Sequence, residues 1–134
     1  MADAGAAQST GKSAIDTSAA PRPVASYSQA VRKGNILAVA GQVGFDPETG
    51  KLVQGGIADQ TRQTLANLIA VLNAAGATMD DVVMVRVYLT GLEHFEAMNQ
   101  VYEQFVAEPF PSRTTVFVGL GPGMLVEIDA LAVV

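Results

Sequence analysis

Between Pro109 and Glu127 the chain sets one arginine and one glutamate into otherwise apolar sequence. Arg113 carries a planar, permanently charged guanidinium. It can grip a carboxylate through two parallel hydrogen bonds, or close a structural ion pair. Glu127 lies between Val126 and Ile128, where an unpaired carboxylate is costly to bury, so a partner, ligand or water must compensate it. Partial burial that raises its pKa would let it position or deprotonate a water. The competing role is an ion pair with Arg113 or a contact between subunits. Tyr27 offers a phenol able to donate or accept one hydrogen bond, with core packing as the alternative. Asn99 can bond a ligand or cap local backbone. His94 is the sole histidine and there is no cysteine, so neither a metal site nor a thiolate nucleophile is expected. His94 reads as solvent-facing, and Asp80-Asp81 as a solvated turn.

Several elements must position these groups. Pro109 and Pro111 hold the chain extended as it enters Arg113. Tyr27 to Lys33 and Ile36 to Ala40 flank Gly34-Asn35, which predicts a β-hairpin. Asp46-Pro47-Glu48-Thr49-Gly50 is a turn by composition. Leu65, Leu68, Ile69 and Leu72 follow helical spacing within Ile57 to Ala75, and Gly76 suits the C-terminal cap. Val82 to Leu89 is almost continuously apolar, which predicts a strand covered on both faces. Two helices can cover only one of them, so a subunit contact is expected on the other. Thr90-x-x-Glu93 fits a capping box ahead of a second helix with the stripe Phe95, Met98, Tyr102 and Phe105, ending before Pro109. Strands over about Thr114 to Gly119 and Leu125 to Val133 close the chain.

At 134 residues the chain suits one domain with a sizeable core. Met1 to Ala20 is mostly Ala, Ser, Thr and Gly and reads as a mobile tail. No secretion signal or long apolar span is evident, so a cytoplasmic protein without a membrane is expected. A net charge of -5 argues against nucleic acid as a partner.

The motifs Pro-Phe-Pro-Ser-Arg-Thr-Thr-Val from Pro109 and Leu-Val-Glu-Ile-Asp-Ala from Leu125 resemble the closing signature of the RidA/YjgF family of imine and enamine deaminases. Ser26-Tyr27-Ser28-Gln29-Ala30, Gly41-Gln42-Val43, Asp46 to Gly50 and Met98-Asn99-Gln100-Val101-Tyr102 are similar to its other blocks, in the same order. The likeness spans roughly Ile15 to Val134 and is far more specific than a lone motif. It implies an α+β, chorismate-mutase-like fold of order β-β-α-β-α-β-β over residues 14–134, after a flexible tail over 1–13. A short edge strand near Ala14 to Thr17 is implied as well. Three subunits would join their sheets into a barrel with active sites in the clefts between them.

The resemblance further implies hydrolysis of 2-imino acids, tautomers of 2-aminoacrylate-type enamines, to 2-oxo acids and ammonia, with no cofactor. Arg113 would anchor the substrate carboxylate, Glu127 would handle the water and Tyr27 would sit at the pocket mouth. Asn99, Gly41 and Thr115 are the implied substrate-binding positions. Ala40 stands where many members have serine, and Thr115 where many have cysteine. These departures sustain a second reading, a non-enzymatic trimer that binds a small carboxylate or another protein. Endoribonuclease activity, attached to some relatives, fits poorly with the acidic charge and the absence of a histidine pair.

Overall fold

The computed structural model describes residues 10–134, and the expected tail over residues 1–9 lies outside them. Strand β1 (Lys12–Ile15) pairs antiparallel with β2 (Ala30–Lys33), which turns through Gly34-Asn35 into β3 (Ile36–Gln42). Lys33 faces Ile36 across that turn, the tight hairpin expected of the Gly-Asn pair. Helix α1 (Ile57–Ala74), β4 (Val82–Leu89), helix α2 (Phe95–Tyr102), β5 (Ser112–Phe117) and β6 (Val126–Val133) follow. One six-stranded sheet results, in the order β1-β2-β3-β6-β4-β5. All its ladders are antiparallel except that of β4 and β5, where α2 supplies the crossover a parallel pair requires. The architecture is the expected α+β one, with β1 placed ahead of the β-β-α-β-α-β-β order.

Helix α1 begins where the Gly56 N–H donates to the Asp59 carboxylate at 3.2 Å. It ends at Gly76, whose φ of 79° is open to glycine at little cost; Gly76 N–H donates to the Asn73 carbonyl and Ala77 N–H to the Leu72 carbonyl. Leu65, Leu68, Val71 and Leu72 are buried from it into the core formed with Val85, Val87, Val126 and Ile128. Helix α2 departs from expectation at its start. Thr90 is no cap; a single 3₁₀ turn over Leu92–His94 leads into the helix, with Gly91 before it and no side-chain cap at either position. The capping box falls instead at Thr78, whose hydroxyl accepts from Asp80 N–H while Asp81 accepts from Thr78 N–H. His94 is mostly covered rather than solvent-facing, its side chain 19% exposed and its ring 4.0 Å from Glu93.

Two further regions differ from the sequence reading. Residues 10–20 carry structure: besides β1, Ala20 is buried, because the amide of Gln29 accepts from Thr17 N–H and donates to the Thr17, Ala20 and Pro21 carbonyls. Strand β4 alternates despite its apolar run. Val85, Val87 and Leu89 point into the helix-covered core, whereas Arg86 and Val83 are exposed. The opposite face of the sheet has no cover among the described residues, and Ile36, Val116 and Val133 lie exposed on it.

Candidate functional site

Strand alternation sorts the expected site residues onto opposite faces of the sheet. Arg113 and Thr115 register with Val85 and Val87 on the helix-covered face. Glu127 and Asp129 register with Tyr88 and Arg86 on the open face. Within one chain the anticipated Arg113–Glu127 ion pair therefore does not form.

Arg113 is held from α2. Its Nη1 donates to the Asn99 side-chain oxygen at 2.7 Å, and Asn99 in turn donates to Glu103 at 3.5 Å. The guanidinium carbon sits 4.7 Å from the centre of the Tyr102 ring and 5.6 Å from that of Phe95. Both rings read as core positions from their helical spacing; the structure makes them a cation–π clamp that orients the charge without neutralising it. No carboxylate among the described residues lies within ion-pair distance of Arg113. Because guanidinium has five N–H donors in a fixed fork, one bond to Asn99 leaves donors for an anion. The Tyr102 hydroxyl is buried without a hydrogen-bond partner; burial pushes its pKa up, with the Arg113 charge pulling the other way. Thr115 follows along β5 on the same face, two positions on, as strand periodicity requires.

Tyr27, Gly41 and Glu127 meet in a different place, a cleft of about 690 Å³ whose wall also includes Ala40, Phe45 and Met124. Strand β3 shifts register against β6 between Val39 and Gln42, and Gly41 lies in this irregularity. A Cβ on Gly41 would collide with the Glu127 carboxylate, so the missing side chain is what admits the acid. Glu127 is half-buried and has no hydrogen-bond or ion-pair partner among the described residues. Burial raises its pKa, and the nearby charge of Asp129 raises it further. Asp129 is itself well held, accepting from Arg86 Nε and from the Tyr88 hydroxyl, each at 2.9 Å. The Tyr27 hydroxyl accepts the Val24 N–H at 3.3 Å, which leaves its own proton free to donate. Tyr27 lies in the irregular segment between a bend and β2 and is 48% exposed.

Sequence reasoning missed the groups that hold this cleft open. Gln60 and Asn67 are buried on α1 among its leucines. Gln60 donates to the Gly123 carbonyl and accepts from Leu125 N–H, both at 2.9 Å. Asn67 donates to the carbonyls of Val43 and Phe45. Their spacing on the leucine side of an amphipathic helix was the available signal, since a buried amide demands partners. The Arg86–Asp129–Tyr88 network also went unread, because its members are close only across paired strands. No group of three His, Cys, Asp or Glu side chains able to hold a metal occurs among the described residues. Nor is any described helix long and apolar enough to cross a membrane.

The fold and its two polar clusters define a small α+β protein of the Rid class. Residues 17–134 match the family model described as Endoribonuclease L-PSP, and the chain belongs to this YjgF/RidA family. It is 47% identical over 122 residues to a RutC family protein of Pyrococcus horikoshii, covering 90% of this chain and 97% of that one. A 2-iminobutanoate/2-iminopropanoate deaminase of Dermatophagoides farinae is 40% identical, with 92% and 97% covered. Among solved structures, RidA from the Antarctic bacterium Psychrobacter aligns with a TM-score of 0.87 at 41% identity, covering 91% of this chain and 99% of that one.

Proposed function

We propose that this protein hydrolyses reactive 2-imino acids to 2-oxo acids and ammonia. The observation that carries the reading is a pair of groups uncompensated among the described residues: a clamped guanidinium without a carboxylate partner, and a carboxylate of raised pKa without a donor, on opposite faces of one sheet. A single chain does not bring both to one ligand, whereas adjoining copies can. The proposed assembly is a homotrimer whose open sheet faces join into a barrel, and the exposed Ile36, Val116 and Val133 on that face support it. Each site then combines Arg113, Asn99 and Thr115 of one copy with Glu127, Gly41 and Tyr27 of its neighbour. The relatives named as imine deaminases support the chemistry.

In this site Arg113 binds the substrate carboxylate and fixes the imine beside Glu127. Water adds to the C=N carbon, forming the C–O bond as the nitrogen takes a proton. Glu127 takes that proton from the attacking water and passes it to the nitrogen, so it is again a carboxylate when the carbinolamine has formed. The resulting carbinolamine collapses: Glu127 takes its hydroxyl proton and delivers it to the amino nitrogen, the C–N bond breaks and ammonia departs, leaving the 2-oxo acid. Tyr27 donates to the intermediate from the mouth. Positioning and fixed charge supply most of the acceleration, with no cofactor involved.

Generating an imine in situ with an amino-acid lyase or oxidase, and timing its disappearance, tests this directly. Faster decay than in buffer is expected, together with a trimer mass by light scattering at micromolar concentration. Tight binding of stable 2-oxo acids without turnover of any imine would instead favour a carboxylate-binding module, to which the methyl group of Ala40 in the cleft would be suited.

A further inference from the structure

We propose that Tyr102, with Phe95 as its weaker companion, is a positioning residue for the carboxylate anchor: the two aromatic faces stand in for the counter-ion that Arg113 lacks, and so keep its N–H fork open to substrate. This rests on the reading of Arg113 as the anchor of an imine deaminase, and it names the residues that act through it.

The arginines of this chain keep different company. Arg22, Arg62 and Arg86 each face a carboxylate, those of Asp16, Asp59 and Asp129. Arg113 faces rings instead, its guanidinium carbon 4.7 Å from the centre of Tyr102 and 5.6 Å from that of Phe95. A resident carboxylate would occupy the same donors that an incoming carboxylate needs. An aromatic face attracts the cation through its quadrupole and brings no competing acceptor oxygen.

The arrangement is built into α2. Phe95, Asn99 and Tyr102 stand four and three residues apart, hence on one face of the helix. That face meets Arg113 of β5 as ring, amide and ring, with Asn99 fixing one guanidinium nitrogen at 2.7 Å. Tyr102 is the firmer of the rings, 5% exposed where Phe95 is only partly buried. The Tyr102 hydroxyl is buried without a hydrogen-bond partner among the described residues, so the ring rather than the hydroxyl makes the contact that matters here. Because Tyr102 is covered by its own chain, on the helix side of the sheet, an adjoining copy leaves this contact in place.

The test varies the electron density of the ring while keeping its shape. In the full-length protein, Tyr102→Phe is the parent of a series in which mono-, di- and trifluorinated phenylalanines are placed at the same position. Each fluorine withdraws density from the face that Arg113 meets. The Kd for pyruvate, read by calorimetry, should rise stepwise along the series, reaching about fivefold to thirtyfold over the parent at the trifluorinated member. The KM of an oxidase-generated imine should rise in parallel with kcat changed less, and melting temperature should not follow the series. A flat Kd across folded members, a fall in kcat alone, or the absence of pyruvate binding to the wild-type protein would overturn the proposal. If the members altered at Tyr102 fold poorly, the same series at Phe95 decides: a shallower stepwise rise, as its greater distance requires, upholds the proposal and a flat one refutes it. Failure of the deaminase reading shows itself separately, as a wild-type protein that turns over no imine while the pyruvate series still rises.

Discussion

The Arg113 cluster and the Glu127 cleft carry opposite charges under opposite constraints. Arg113 is fastened by Asn99 and faced by two aromatic rings, so its position is set before any ligand arrives. Glu127 has no such support among the described residues; it occupies the space left by Gly41, where burial first and Asp129 second raise its pKa. An anchor must keep its geometry, and a proton carrier must be able to change its charge. On the proposed mechanism this difference in support separates holding from proton transfer, and the two halves should respond differently to substitution.

The largest effect is expected on the cleft side. Glu127→Gln keeps the shape and removes the base, so imine hydrolysis should fall by about a hundredfold to ten-thousandfold. A variant retaining wild-type kcat would take proton transfer away from Glu127. On the anchor side, Arg113→Lys preserves charge but loses the two-pronged fork. A charge-assisted bond contributes about 1.5 to 3 kcal/mol, so kcat/KM should drop about tenfold to hundredfold while the fold survives. Melting temperature and turnover measured on one preparation separate the alternatives: a destabilised yet fully active protein would make Arg113 a structural residue only.

A smaller effect is expected for Asn99→Ala, which leaves the guanidinium between its rings but frees it to swing. Loss of that bond, about 1.5 kcal/mol, corresponds to roughly a tenfold rise in KM with kcat changed less. Equal losses in both would assign Asn99 to the reacting groups rather than to the anchor.

The smallest expected effect distinguishes the two halves by stability. The native state holds the Glu127 proton more tightly than the unfolded chain does. Its favourable contribution is therefore complete below the unfolded glutamate pKa of about 4.3 and is lost as pH rises through the higher native value. An amide cannot ionise, so Glu127→Gln should melt slightly higher than wild type near neutral pH, by about 1 to 3 °C, and the two should converge in acid. Arg113→Lys should show no comparable pH-dependent gain. A glutamine variant that melts lower at neutral pH would mean that Glu127 is stabilised by a partner.

Much of the fold was legible because it rests on local rules. Gly34-Asn35 fixed the hairpin, the leucine spacing and Gly76 defined α1, and the residues approaching Arg113 marked the start of β5. The misreadings of such rules are equally local. Thr90-x-x-Glu93 satisfies a capping pattern, but the chain tightens into a 3₁₀ turn and Gly91 stands before it. The family resemblance identified Arg113, Glu127, Tyr27, Asn99, Gly41 and Thr115 as the residues to watch and implied sites in clefts between subunits, but it did not say which of them one chain brings together.

That grouping belongs to the tertiary structure. The sequence by itself determined which residue types are present and where their strands and helices run, since turn chemistry and periodicity act over a few residues. Which face of the sheet each side chain occupies depended on register: pairing Tyr88 with Glu127 and Val85 with Arg113 puts acid and base on opposite sides. The apolar run of β4 could not reveal this, because valine is at home on a covered or an open face. The same holds for Gly41, Gln60 and Asn67, whose importance lies in contacts with Glu127, Gly123 and Val43 that no local pattern encodes. Packing brings these distant residues together, and with them come the space for the acid and the walls of its cleft.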